Sequence, residues 1–169
     1  MSQLSISSFE SLLHVRDSQG RYRLASPEQI LEAARAAIDQ KMQRGMAFES
    51  PAKVRHCLQA KLGGFDHEVF AVLFLDTRHR LISYQEMFRG TIDNASVHPR
   101  EVVKEALRVN AVAVILAHNH PSGNPEPSSA DRTLTVQLKA ALELMDVRTL
   151  DHIVVAGQRT TSFAERGLM

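Results

Sequence analysis

A chain of 169 residues with 44% hydrophobic content fits one domain with its own core and excludes two full domains. Lys and Arg number 20 against 19 Asp and Glu, and the resulting net charge of +1 argues against a broad electrostatic footprint for nucleic acid or an anionic membrane. The single cysteine, Cys57, excludes an intramolecular disulfide and a thiolate-built zinc finger; with no apolar run near the ~20 residues of a spanning helix, the chain reads as soluble and cytoplasmic.

In chain order, residues 1 to about 25 are polar and Ser-rich, the composition of a loosely ordered lead-in to which no function is assigned. Ser26-Pro27 opens a helix, with Ile30, Leu31, Ala34, Ala37 and Ile38 at helical spacing up to Gly45. Ser50-Pro51 opens a second, carrying Val54, Cys57, Leu58 and Leu62 and stopped by Gly63-Gly64, a pair suited to a C-terminal cap. Among these apolar positions Cys57 reads as a packed thiol, not a reactive one. The run EVFAVLFLD (68–76) is apolar, rich in Val and Phe and too short for a long helix, so it predicts a buried strand. RLISYQEMF (80–88) follows as an antiparallel partner, closed by Gly90.

Pro99 opens a helix, PREVVKEALRVN, with Val102, Val103, Ala106 and Leu107 as its stripe and Asn110 as its cap. AVAVILAH (111–118) reads as another buried strand, followed by the Pro-rich loop HPSGNPEPSS, a helix from about Ser129 to Met145 and a last strand around DHIVVAG. Ser162 and Glu165 have the spacing of a capping box near the C-terminus. The alternation predicts an α/β fold with a mixed β-sheet flanked by helices. Residues 1–65 read as lead-in and helical segment, and 66–169 as the domain that carries the chemistry.

His118 and His120 stand two apart at the end of a buried strand, where extended backbone projects both imidazoles to one side. Asp131 falls eleven residues on, at the start of the next helix, and the Pro/Gly-rich loop between can fold it back toward the strand end. Three N/O ligands suit a catalytic metal site, which keeps a fourth position open, better than a structural one, which closes all four. Each part has a blander reading. Ser128-x-x-Asp131 is also a helix capping box, the prolines also stiffen a turn, and a lone strand-end histidine is usually a hydrogen-bonding residue. The joint spacing of the whole string is what favours a metal site. His14, His56, His67, His79 and His98 have no partner at ligand spacing, His152 falls in an edge or core strand, none is assigned a role, and Arg89 and Arg100 read as solvated surface charge.

The pattern His-x-His, seven residues, Ser-x-x-Asp, with a glutamate upstream, resembles the JAMM (JAB/MPN) metalloproteases. Similarity is closest to their RadC-like branch, through LFLD (73–76), EMFRGT (86–91), HPREVVKEAL (98–107), AHNHPSG (117–123) and LDHIVVAG (150–157). The resemblance implies a JAB/MPN-like (cytidine-deaminase-like) architecture and a zinc-dependent hydrolase that cleaves a peptide or isopeptide bond in a peptide or protein substrate. It also implies that His118, His120 and Asp131 hold Zn2+, that Ser128 helps hold the water and the developing oxyanion, and that a glutamate moves the proton. Glu68, at the start of the first apolar strand, is the first choice for that glutamate, and Glu86 the reserve; the bland reading of both is an exposed or salt-bridged strand glutamate. Asn119 stands where many deubiquitinating members have Ser or Thr, which argues against ubiquitin-type substrates. The first 65 residues do not resemble the helix-hairpin-helix module of longer RadC proteins, which weakens the DNA-repair label of that branch; a DNA-repair-associated or other non-catalytic, metal-stabilised module, which that label suggests, is the alternative. Zinc nucleobase deaminases need a Pro-Cys-x-x-Cys element that is absent here.

Overall fold

Seven strands and four helices follow one another along the residues that the computed structural model describes, 13–48, 50–90 and 97–169. They are β1 (His14–Arg16), β2 (Tyr22–Leu24), α1 (Pro27–Lys41), α2 (Pro51–Leu62), β3 (Val69–Leu75), β4 (Leu81–Arg89), α3 (Pro99–Arg108), β5 (Ala113–Asn119), α4 (Ser129–Glu143), β6 (Arg148–Ala156) and β7 (Arg159–Ser162). The first twelve residues of the expected lead-in, and Thr91 of EMFRGT, lie outside the described residues.

Local chemistry starts and stops these elements where the sequence places the signals. Ser26 caps α1 by accepting from the Gln29 N–H, while the Gln29 side chain accepts from the Ser26 N–H. Ser50 caps α2 through the Lys53 N–H. After α3, Asn110 takes the left-handed conformation at φ 56°, as a capping asparagine can. Gly63 ends α2 in another way: its φ of −67° is right-handed, and what it supplies is room, because a Cβ there would lie 2.5 Å from the Gln59 carbonyl oxygen.

Five strands form one mixed sheet in the order β4-β3-β5-β6-β7, with β5 and β6 parallel and the other pairs antiparallel. Helix α4 connects the two parallel strands. β3 and β5 are buried along their whole length, which explains their unbroken apolar runs. Their residues divide by parity. Val69, Ala71, Leu73, Ala113, Ile115 and Ala117 pack with Val54, Cys57, Leu58 and Leu62 of α2. Phe70, Val72, Phe74, Val114 and Leu116 pack with Val102 and Ala106 of α3 and Leu138 and Leu142 of α4. No helix among the described residues is long and apolar enough to cross a membrane.

Three expectations are corrected. Residues 14–24 form a β1–β2 hairpin, turned by Asp17 Oδ1 accepting from the Gln19 and Arg21 N–H groups, with Gly20 at φ 80°. The Ser162–Glu165 spacing yields a bond from the Glu165 N–H to Ser162 Oγ, but the segment is a turn and Ser162 itself ends β7. Helix α1 stops at Lys41, short of Gly45, and buries none of its residues fully.

Candidate metal centre

The end of β5 and the start of α4 face each other across the loop that joins them. His118 lies in β5, and His120 one residue beyond it, where its N–H still bonds to the Val155 carbonyl of β6 and extends the ladder. Both imidazoles therefore leave the sheet on the α3/α4 side, and their Nε2 atoms are 2.9 Å apart. Asp131 sits in the first turn of α4, with Oδ1 3.3 Å from His118 Nε2 and Oδ2 3.5 Å from His120 Nε2. One ligand atom from each of the three lies within 4.8 Å of the others, so the cluster could hold a metal ion. His118 is 1% exposed, whereas the His120 and Asp131 side chains are 17% and 14% exposed, which makes His118 the floor of the site and the other two its opening.

The capping box and the ligand cluster are the same structure. Asp131 Oδ2 accepts from both the N–H and the hydroxyl of Ser128, and Ser128 Oγ accepts from the Asp131 N–H, so the cap fixes the carboxylate at the mouth of the site. Burial alone would raise the pKa of Asp131, but its contacts with His118, His120 and Ser128 outweigh that and hold it well below the usual carboxylate range. Its contact with Asp131 lifts the pKa of His120 above the ordinary imidazole value, against the opposing effect of burial. The Asn124 carbonyl and the charges of Asp131 and Glu68 add to the rise. Two imidazole nitrogens and a carboxylate turned on one point form a donor set that could hold a metal ion.

Glu68 immediately precedes β3, and its charge contributes to the raised pKa of His120. Glu86 does not come to the cluster. It pairs across the sheet with Ala71, whose side chain packs on the α2 face, and its carboxylate is engaged by Tyr84 Oη at 3.4 Å and Arg89 at 3.2 Å. The loop after His120 forms one wall, with Gly123 at φ 75°. The Arg159 guanidinium donates to the Gly123 carbonyl, and Arg166 pairs with Glu126 at 2.7 Å.

Sequence reasoning missed three residues of this site. His152, set aside above, lies 2.8 Å by Nε2 from His118 Nδ1, and its Nδ1 lies 2.7 Å from Thr135 Oγ1. Burial first, and then the neighbouring His118, push the His152 pKa well below the ordinary value. Asn119, noted only as a departure, accepts from the Val69 N–H at 2.7 Å and donates to the His67 carbonyl at 2.9 Å, bracketing Glu68. None of the three stands at ligand spacing: strand pairing brings His152 to the site, Thr135 comes from one turn along α4 beyond Asp131, and Asn119 ends β5.

Residues 48–168 match the family described as the RadC-like JAB domain. The chain is 57% identical over 143 residues to a UPF0758 protein of Vibrio cholerae serotype O1, covering 85% of this chain and 90% of that relative. It is 59% identical to UPF0758 proteins of Methylibium petroleiphilum and of Leptothrix cholodnii, each over 140 residues, 83% of this chain and 63% of theirs. It thus spans less than two thirds of the length of those two.

Proposed function

The chain belongs to the RadC-like JAB domain family, and from that premise we propose that it is a zinc-dependent hydrolase of amide bonds, acting on a peptide or protein in the cytoplasm. One observation carries the reading: three N/O ligand atoms converge at a half-open site, and the charge of Glu68 is felt there by His120. His118, His120 and Asp131 would hold the ion, and two nitrogens with one oxygen suit zinc and leave a position free. Bound there, zinc supplies Lewis-acid polarisation of the substrate carbonyl and lowers the pKa of water to about 7.

The chain's own residues supply the rest. Glu68 accepts the proton of the attacking water as the new C–O bond forms, then returns it to the amide nitrogen as the C–N bond breaks. Ser128 donates its one hydroxyl proton to Asp131, and it would serve the oxyanion that develops on the carbonyl oxygen by turning that proton from the carboxylate to the substrate. The 121–127 loop, held by Arg159 and Arg166, forms the wall against which a substrate chain would lie.

The test is metal analysis followed by a peptide-library screen of the zinc-loaded protein. Purified protein is expected to hold about one zinc per chain by the three-ligand logic of catalytic sites. A folded His118→Ala/His120→Ala protein with undiminished zinc would refute the site, and a zinc-loaded protein that cleaves nothing in the library would refute the activity. The alternative, a DNA-associated module, predicts DNA affinity that falls steeply with salt. The net charge of +1 supports a weak or absent response instead.

A further inference from the structure

His118 can serve as a ligand through Nε2 only if its remaining proton resides on Nδ1, and a free imidazole does not enforce that choice. The buried polar groups behind it do. Thr135 Oγ1 lies 2.6 Å from the Asp131 carbonyl oxygen, a contact between two oxygens that needs a proton. The carbonyl can only accept, so the hydroxyl donates to it. The same hydroxyl oxygen, 2.7 Å from His152 Nδ1, is then left as an acceptor, so His152 carries a proton on Nδ1, and a ring wholly buried between Phe163 and Phe70 holds no second one. His152 Nε2 is consequently an acceptor too, and His118 Nδ1, 2.8 Å away, must be its donor. What remains on His118 is the Nε2 lone pair, directed at His120 and Asp131.

We infer that Thr135 and His152 are positioning residues that fix His118 in the Nδ1–H tautomer and so create its metal-binding lone pair, an inference that rests on reading the cluster as a metal centre. No group changes charge along this chain of bonds; only the place of each proton is set. Among the described residues, the surroundings of this chain of bonds are apolar rings. His152 and Thr135 are both 0% exposed, and the His152 ring is stacked on Phe163 at 4.7 Å with Phe70 edge-on at 5.6 Å. His120 receives the same instruction more simply, from the Asn124 carbonyl 2.8 Å from its Nδ1. Partners of metal-ligating histidines that fix the tautomer are worth about 10–100-fold in metal affinity. Here that dependence reaches a threonine that offers no ligand atom.

The test compares Thr135→Val, which keeps the shape and removes the hydroxyl, with Thr135→Ser, which keeps the hydroxyl, and with His152→Phe. Zinc affinity is read by competition with a chromophoric chelator. The proton on each His118 nitrogen is read by long-range 1H–15N spectra of the metal-free protein in mildly alkaline buffer. Thr135→Val and His152→Phe are expected to lose about 10–100-fold in zinc affinity while Thr135→Ser binds like the wild type. The His118 proton is expected on Nδ1 in the wild type and on Nε2 in Thr135→Val. Should Thr135→Val bind zinc like the wild type with its tautomer unchanged, or should wild-type Nδ1 carry no proton, the inference is overturned. Should the wild type take up no zinc, the metal-centre reading fails, and the spectra alone uphold or overturn the tautomer relay. His152→Phe could fail to fold, and the conservative threonine pair then carries the decision.

Discussion

Alternation along β3 and β4 puts the two candidate glutamates on opposite faces of the sheet. Glu68 is two residues before Phe70, whose ring stacks on His118, whereas Glu86 lies across from Ala71 on the α2 face. Glu68→Gln is therefore expected to lower turnover by roughly 10²–10⁴-fold with zinc retained, and Glu86→Gln to leave turnover near wild type. Rates on a substrate from the library screen decide it, and the reverse pattern would reassign the proton acceptor. Cys57 gives a second expectation. Burial raises its thiol pKa, so little thiolate is present at neutral pH, and iodoacetamide should label the denatured chain while sparing the native one. Rapid labelling of native protein would show the α2 packing to be wrong. His118, His120 and Asp131 were legible because their ligand spacing is local, while His152 meets His118 only through the parallel pairing that sets it opposite Leu116. A histidine 34 residues away in sequence carries no periodic signal of that contact.

Secondary structure was legible wherever an apolar period or a cap marked it. The N-caps of α1, α2 and α4 stand at Ser26, Ser50 and Ser128, where the sequence signals them. The β1–β2 hairpin was not legible, because strands of three residues with mostly exposed side chains have no alternation to detect. Strand β7, four residues long and next to Gly157 at φ 59°, was missed for the same reason. Gly63 was read correctly as a stop but for a different cause, and the cause is testable. A methyl there meets two backbone oxygens, Gln59 at 2.5 Å and Gly157 at 3.2 Å, neither of which can swing aside. Gly63→Ala should cost about 1–3 kcal/mol in denaturant unfolding, the usual cost of overpacking. Gly64→Ala, which meets the mobile ends of Arg35 at 2.9 Å and Leu31 at 3.3 Å, should cost less. Equal costs would mean that the α2 terminus yields more readily than its geometry implies.

At the scale of the molecule, the mixed sheet with helices on both faces followed from the alternation of elements, but the face each helix covers came only from strand pairing. Because the candidate ligands come from the end of β5 and the start of α4, an ion held there would tie the sheet to a helix and should stabilise the folded chain. At free zinc about 100 times its dissociation constant the gain is about 2.7 kcal/mol, or roughly 5–10 °C in melting temperature for a chain of this size. Thermal unfolding with zinc and with chelator measures it, and the His118→Ala/His120→Ala protein should show no difference between the two. β3 and β5 also share a property that reaches beyond their burial. A strand that is apolar on both sides can slide by one residue against its neighbour without exposing any greasy surface, so polarity does not choose between the correct alignment and its nearest errors. Asn119 does choose, because its amide bonds only to the backbone on either side of Glu68. A one-residue slip would strand those buried partners and turn Glu68 to the far face of the sheet, so the side chain that guards against misalignment also guards the chemistry.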